Sequence, residues 1–194
     1  FSCMINRELY MEQITPFIDK PFVKVITGIR RCGKSVVLRL IREELLRRGV
    51  SEDYIIYMNF ESFEWIDMKE AKALYAHIRE ATKASGKYYI LLDEIQEVTD
   101  WEKAVNAFLV DLDVDIYVTG SNSRLLSSEF STYLAGRYVA FHIMTLSFRE
   151  YLLFHDLPLT ISVSDRKTEF LKYLRMADFR LFIRQTMIIM LSTK

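Results

Sequence analysis

Apolar positions along the 194-residue chain alternate between short continuous runs and stripes of helical spacing. Residues 23–27, 54–59, 88–92, 116–119 and 138–144 are runs rich in β-branched and aromatic side chains, of strand length and too short for a buried helix. Between them lie stripes. Residues 36–48 form a helical pattern that ends near Gly49, and Ala71, Leu74, Tyr75 and Ile78 follow i, i+3, i+4, i+7 spacing before Ser85-Gly86 closes the segment. Trp101, Ala104, Val105, Phe108 and Leu109 make a third stripe, opened by a capping box, Thr99-x-x-Glu102. Residues 6–19 predict a short amphipathic helix lying across the sheet edge until Pro21 ends it. A second capping box, Ser147-x-x-Glu150, opens a helix around residues 151–154; Pro158 interrupts the pattern, and residues 167–175 predict a further helix.

Strands alternating with helices imply right-handed crossovers and a parallel sheet covered on both faces, an α/β class. The expected division is an N-terminal helix at 1–20, an α/β core at 21–146, and a C-terminal helical segment at 147–194. Residues 177–194 have neither clear period nor caps, so this segment reads as truncated. A 51% hydrophobic content suits one good core with a small appendage.

Net charge is zero but segregated. Residues 1–50 carry 10 basic and 5 acidic side chains, 51–115 carry 6 and 15, and 116–194 carry 10 and 6. A polyanion could therefore bind only at a local basic patch. Two cysteines, Cys3 and Cys32, make no disulfide framework, and no apolar stretch reaches the roughly 18 residues of a membrane span, so the expected setting is a reducing cytoplasm. His77, His142 and His155 lack metal-ligand spacing.

The strongest chemical signal joins the first strand to the first stripe. Gly28-Ile29-Arg30-Arg31-Cys32-Gly33-Lys34-Ser35 fits G-x-x-x-x-G-K-[ST] at every defined position, in the strand-turn-helix context the chemistry requires. The glycines let successive N–H groups turn toward one phosphate, and the helix from Val36 onward adds free N–H groups and the positive end of its dipole. Lys34 is then expected on the β- and γ-phosphates, and Ser35 on magnesium. Arg30 and Arg31 lend the loop their backbone while their side chains are expected to meet a neighbour, another domain or a nucleic-acid phosphate. Cys32 fills a small position, and alkylating it would probe the loop.

Asp93 ends the most apolar strand, at the edge where a parallel sheet binds ligands, and is expected to hold magnesium opposite Ser35. Glu94 follows it directly, placed to orient and deprotonate the water that attacks the γ-phosphate. Ser121 and Asn122, just past the fourth strand, are candidates for holding that water. Arg137, ahead of the fifth, is a candidate arginine finger acting on a neighbouring subunit.

Five ordered segments carry a family resemblance: 28–35; Leu91-Leu92-Asp93-Glu94-Ile95-Gln96 with Trp101; Thr119-Gly120-Ser121-Asn122-Ser123; Leu134-Ala135-Gly136-Arg137; and Leu146-Ser147-Phe148-Arg149-Glu150-Tyr151-Leu152. Over about residues 6–155 the chain resembles the bacterial and archaeal AAA+ superfamily P-loop ATPases whose AAA domain precedes a C-terminal domain of unknown function. The resemblance implies a three-layer α/β/α P-loop NTPase with sheet order 5-1-4-3-2. It also implies Walker A at 28–35, Walker B at Asp93 and Glu94, and sensor 1 at Ser121 or Asn122.

The function expected is hydrolysis of ATP with Mg to drive a conformational change in a partner or homo-oligomer, with no membrane involved. An alternative is a nucleotide-binding switch or scaffold with weak or no turnover, associated with nucleic acid. A small-molecule phosphotransferase shares the loop, but Glu94 beside Asp93, with Ser121-Asn122, favours water over an acceptor hydroxyl.

Overall fold

A computed structural model describes residues 7–30, 32–121, 125, 134, 136–145, 147–155, 157–160 and 162–176. The described residues fall into two compact units, one up to Met144 and one from Thr145 onward.

The larger unit is built on a five-stranded parallel sheet: β1 (Val23–Gly28), β2 (Ile55–Asn59), β3 (Tyr88–Asp93), β4 (Val114–Gly120) and β5 (Tyr138–Ile143), in the order β2-β3-β4-β1-β5. Read from the other edge, this is the expected 5-1-4-3-2. Parallel neighbours need crossovers, and the helical stripes supply them: α2 (Lys34–Arg47), α3 (Ala71–Ala81) and α4 (Trp101–Asp111), preceded by α1 (Glu8–Ile14). None of the described helices is long and apolar enough to cross a membrane.

Side chains alternate across the pleat, and two cores follow from that period. Val23, Val25, Ile90, Leu92, Ile116 and Val118 face α3 and α4, packing with Leu74, Ile78, Trp101 and Phe108. Ile26, Tyr89, Leu91 and Tyr117 face α1 and α2, packing with Ile14, Val37, Leu38 and Ile41. β1 and β3 are buried at every residue, which explains why they read as unbroken apolar runs.

Local chemistry moved two boundaries. α1 stops at Ile14, and a 3-10 turn over Thr15–Phe17 follows, because Pro16 has no N–H to continue the α-helical ladder; Pro21 lies outside it. The Thr99 capping box does not form. The Thr99 backbone instead bridges Glu70, donating to Lys69 O and accepting from Ala71 N–H, and α4 opens from Asp100 in a left-handed conformation at φ 56°.

In the smaller unit the Ser147 box does form: the Glu150 N–H donates to Ser147 Oγ at 3.2 Å, and the Ser147 N–H donates to Glu150 Oε2 at 2.7 Å. It opens α5 (Phe148–Phe154), which packs on α6 (Val163–Met176) through Phe148, Tyr151, Leu152 and Tyr173. Residues 177–194 lie outside the described residues.

At the amino edge of the sheet, the face toward α2 carries a buried ion pair. Lys24 Nζ pairs with Asp115 Oδ1 and donates to Lys20 O at 2.9 Å. Asp115 Oδ2 accepts from Tyr117 OH at 2.8 Å and from the Asp19 N–H at 2.9 Å. Burial pulls the Lys24 ammonium below its ordinary pKa while Asp115 opposes that shift. Removing one partner strands a charge, so Asp115→Ala should lose about 3–5 kcal/mol in urea unfolding. Lys24→Met combined with Asp115→Leu should recover most of that loss; a single-variant loss under about 1 kcal/mol would show that the pair does not support the sheet.

Candidate functional site

The loop between β1 and α2 sits at the carboxyl edge of the sheet, where β1 lies between β4 and β5. Gly28 is forced by close approach: a β-carbon there would collide with Ile143 O and with Cys32 Sγ. Gly33 caps α2 at φ 95°, a left-handed conformation that side chains resist. Cys32 is buried 2% exposed, and burial raises its thiol pKa. Access and thiolate content, which govern the expected alkylation, are both reduced there.

Lys34 is 4% exposed and starts α2. Its ammonium donates to Ile29 O at 3.2 Å and Gly28 O at 3.4 Å, and pairs with Glu94 Oε1 at 3.2 Å. Three donors meet three acceptors. Two sequence-predicted residues, one from the loop and one from the end of β3, are thus brought into contact.

Asp93 is fully buried. By strand period it projects to the α2 side with Tyr89 and Leu91, as Thr119 does with Tyr117. The Thr119 hydroxyl donates to Asp93 Oδ1 and accepts from the Glu94 N–H at 2.9 Å. Tyr57 OH donates to Asp93 Oδ2 at 3.0 Å, and burial, then Asp93 itself, raises the Tyr57 pKa so that it stays a donor. Glu94 takes a left-handed φ of 54°, and its Oε2 accepts from Gln96 Nε2. The Gln96 carbonyl oxygen is buried against Gly120, where a β-carbon would collide with it.

Thr119, Tyr57 and Gln96 are functional neighbours that sequence reasoning missed. The first two had a signal: hydroxyls near the ends of strands that flank the acidic one, reachable once the sheet order is known. Gln96 lies in the 91–96 segment that carries the family resemblance, and no local pattern marks it for a role.

Of the remaining described candidates, all but Arg137 stay near the carboxyl edge. Ser35 and Val36 lie half-buried in the first turn of α2. Ile29 is exposed, and the Arg30 side chain faces solvent with Glu61 Oε1 at 3.7 Å. Ser121 leaves β4 half-buried, its carbonyl accepting from the Leu125 N–H at 3.1 Å. Arg31 and Asn122 lie outside the described residues. Arg137 donates to Asn106 Oδ1 at 2.6 Å, and its carbonyl accepts from the Val23 N–H at 3.0 Å. That places it at the amino edge, the length of β1 or roughly 17 Å along the strand from Gly28, beyond reach of the loop of its own chain.

The donor set suits magnesium: a hydroxyl and a carboxylate are hard oxygen ligands, and each Asp93 oxygen keeps a lone pair beyond its hydrogen bond. Two protein oxygens are few. Among the described residues no group of three or more His, Cys, Asp or Glu could hold a metal ion, so phosphate oxygens and water would complete the shell.

The AAA domain family matches residues 20–152. An uncharacterized protein of Haemophilus influenzae is 48% identical over 152 residues, and one of Methanocaldococcus jannaschii is 34% identical over 172. These alignments cover 78% and 88% of this chain but only 38% and 36% of those proteins. Among solved structures, the AMPPCP-bound DnaA of Aquifex aeolicus matches at TM-score 0.51 and 18% identity, covering 94% of this chain and 64% of that one. The Aeropyrum pernix ORC1 protein in complex with DNA matches at 0.54 and 17%, covering 87% and 51%. The Thermotoga maritima RuvB Holliday junction branch migration motor matches at 0.51 and 16%, covering 77% and 49%. At these identities the three share the fold alone. With the family match spanning most of the chain, and the Gly28–Ser35 loop, Asp93 and Glu94 standing at the carboxyl edge of a 5-1-4-3-2 sheet, the chain belongs to the AAA domain family and has the AAA+ P-loop NTPase fold.

Proposed function

We propose that this AAA domain hydrolyses ATP to ADP and phosphate with magnesium, and that the cycle changes the conformation of a partner or of a homo-oligomer. The observation that carries the proposal is the 3.2 Å contact between Lys34 and Glu94 beside a doubly anchored Asp93. The loop N–H groups from Gly28 to Val36 cradle the phosphates, and Lys34 exchanges its Glu94 contact for β- and γ-oxygens. Ser35 and Asp93 would hold magnesium, which neutralises charge on those oxygens. Glu94, released by the lysine, accepts a proton from water as its oxygen attacks the γ-phosphorus and the bridging oxygen leaves with ADP. Ser121 or Asn122 orients that water.

The domain division at 1–20, 21–146 and 147–194, and a cytoplasmic setting, belong to the same proposal. A switch or scaffold with weak turnover, associated with nucleic acid, is the second reading. It is favoured by the hydrogen bond from Gln96 Nε2 to Glu94 Oε2, which occupies one oxygen of the base.

Lys34→Ala should abolish Mg-ATP binding in calorimetry on folded protein, and undiminished affinity would remove the centre of the proposal. Glu94→Gln should keep affinity while single-turnover γ-phosphate release falls about 10²-fold or more. Cleavage at the wild-type rate would leave the attacking water without a base. Specific activity, measured with and without DNA, should rise with protein concentration and fall about 10³-fold or more in Arg137→Ala, because Arg137 can serve only a neighbour. A flat, insensitive rate makes it a surface residue.

A further inference from the structure

We propose that Arg7, ahead of α1, is a positioning residue of the phosphate loop: its guanidinium fixes the Cys32–Gly33 peptide so that the Gly33 N–H faces the phosphate. The inference rests on the ATPase reading above and adds to it the part that shapes the loop.

Arg7 is 2% exposed although it lies 25 residues before Cys32 and starts a short helix. Its Nη1 donates to Cys32 O at 2.6 Å and its Nη2 to Met144 O at 2.8 Å. One planar fork therefore spans two carbonyls, one in the loop after β1 and one just past β5. The fork is itself held, since its carbon lies 4.6 Å from the centre of the Tyr10 ring, and Tyr10 OH accepts from the Met144 N–H at 3.0 Å.

A trans peptide carries its C=O and N–H on opposite sides. Fixing Cys32 O against Arg7 turns the Gly33 N–H away from Arg7, and bars the flip that would aim a carbonyl dipole at an anion. Gly33 fits this arrangement twice over. Its φ of 95° favours glycine, and a β-carbon there would stand 3.0 Å from Arg7 Nη1. The glycine that opens the loop's helix thus also makes room for the residue that orients it. The ligand affected is the polyphosphate tail, whatever base it carries.

The test uses the full chain with Arg7→Met and Arg7→Lys, titrated with ADP and with inorganic tripolyphosphate at a temperature where melting curves show each protein folded. Arg7→Met should weaken both ligands by roughly 10-fold or more, and Arg7→Lys, which keeps the charge but cannot span both carbonyls, by a smaller factor. If Arg7→Met does not fold, a weakened Arg7→Lys carries the result. Unchanged affinity in a folded variant, with only a lowered Tm, makes Arg7 an anchor for α1 and overturns the proposal. A loss for ADP but none for tripolyphosphate assigns Arg7 to the base and also overturns it. Wild-type protein that binds neither ligand overturns the ATPase reading and this proposal with it, whereas the preceding outcomes remove the role of Arg7 alone.

Discussion

Helices on both faces of the sheet leave β1 and β3 no solvent-facing side, so any polar side chain on them must be satisfied inside the protein. On the face toward α2 this happens at both edges. At the amino edge Lys24, Asp115, Tyr117 and Asp19 answer one another. At the carboxyl edge Asp93 is answered by Thr119 and Tyr57. The two groups lie on the same pleat, separated by an apolar middle that includes Leu91 and Ile26. Thr119 is the joint of the second group, because one hydroxyl donates to the buried carboxylate and accepts from the next residue's N–H. With its single proton spent on Asp93, it has a lone pair left to hold Glu94 in its left-handed turn.

From that turn Glu94 reaches Lys34, and the site is assembled across three strands and a loop. The pair is largely removed from water, with side-chain exposures of 4% and 16%, so its strength depends on geometry more than an exposed pair's would. In the ATPase proposed above, a polyphosphate would compete for the same ammonium with more charge and more acceptor oxygens. In the ATPase proposed here, arrival of the anion and release of the carboxylate are therefore one exchange. Gln96 would limit how far Glu94 moves in that exchange, since its amide donates to the same carboxylate while its carbonyl is lodged against Gly120.

The curated relatives run well beyond the matched region, and this chain spans little more than a third of each. The edge opposite the loop bears Arg137, so a finger role requires a second subunit, whereas Arg7, Lys34, Asp93 and Glu94 belong to one chain and one edge.

Much of this was legible in one dimension. Strand runs, helical stripes, the Gly28–Ser35 spacing and the Asp93-Glu94 pair rest on local periods and local backbone needs, which the chain states residue by residue. The Ser147 box formed for the same reason, while the Thr99 box lost to a bridge with Glu70, a partner 29 positions away. Local patterns did not reveal which side chains share a face and an edge once the strands are ordered. Tyr57 and Thr119 meet Asp93 only because β3 lies between β2 and β4, and Arg7 meets Cys32 and Met144 only because α1 folds back beside β5. Hydrogen bonds act over about 3 Å and carry no sequence period, so the partners of the loop lysine, the buried acid and the buried arginine were decided by the tertiary structure alone.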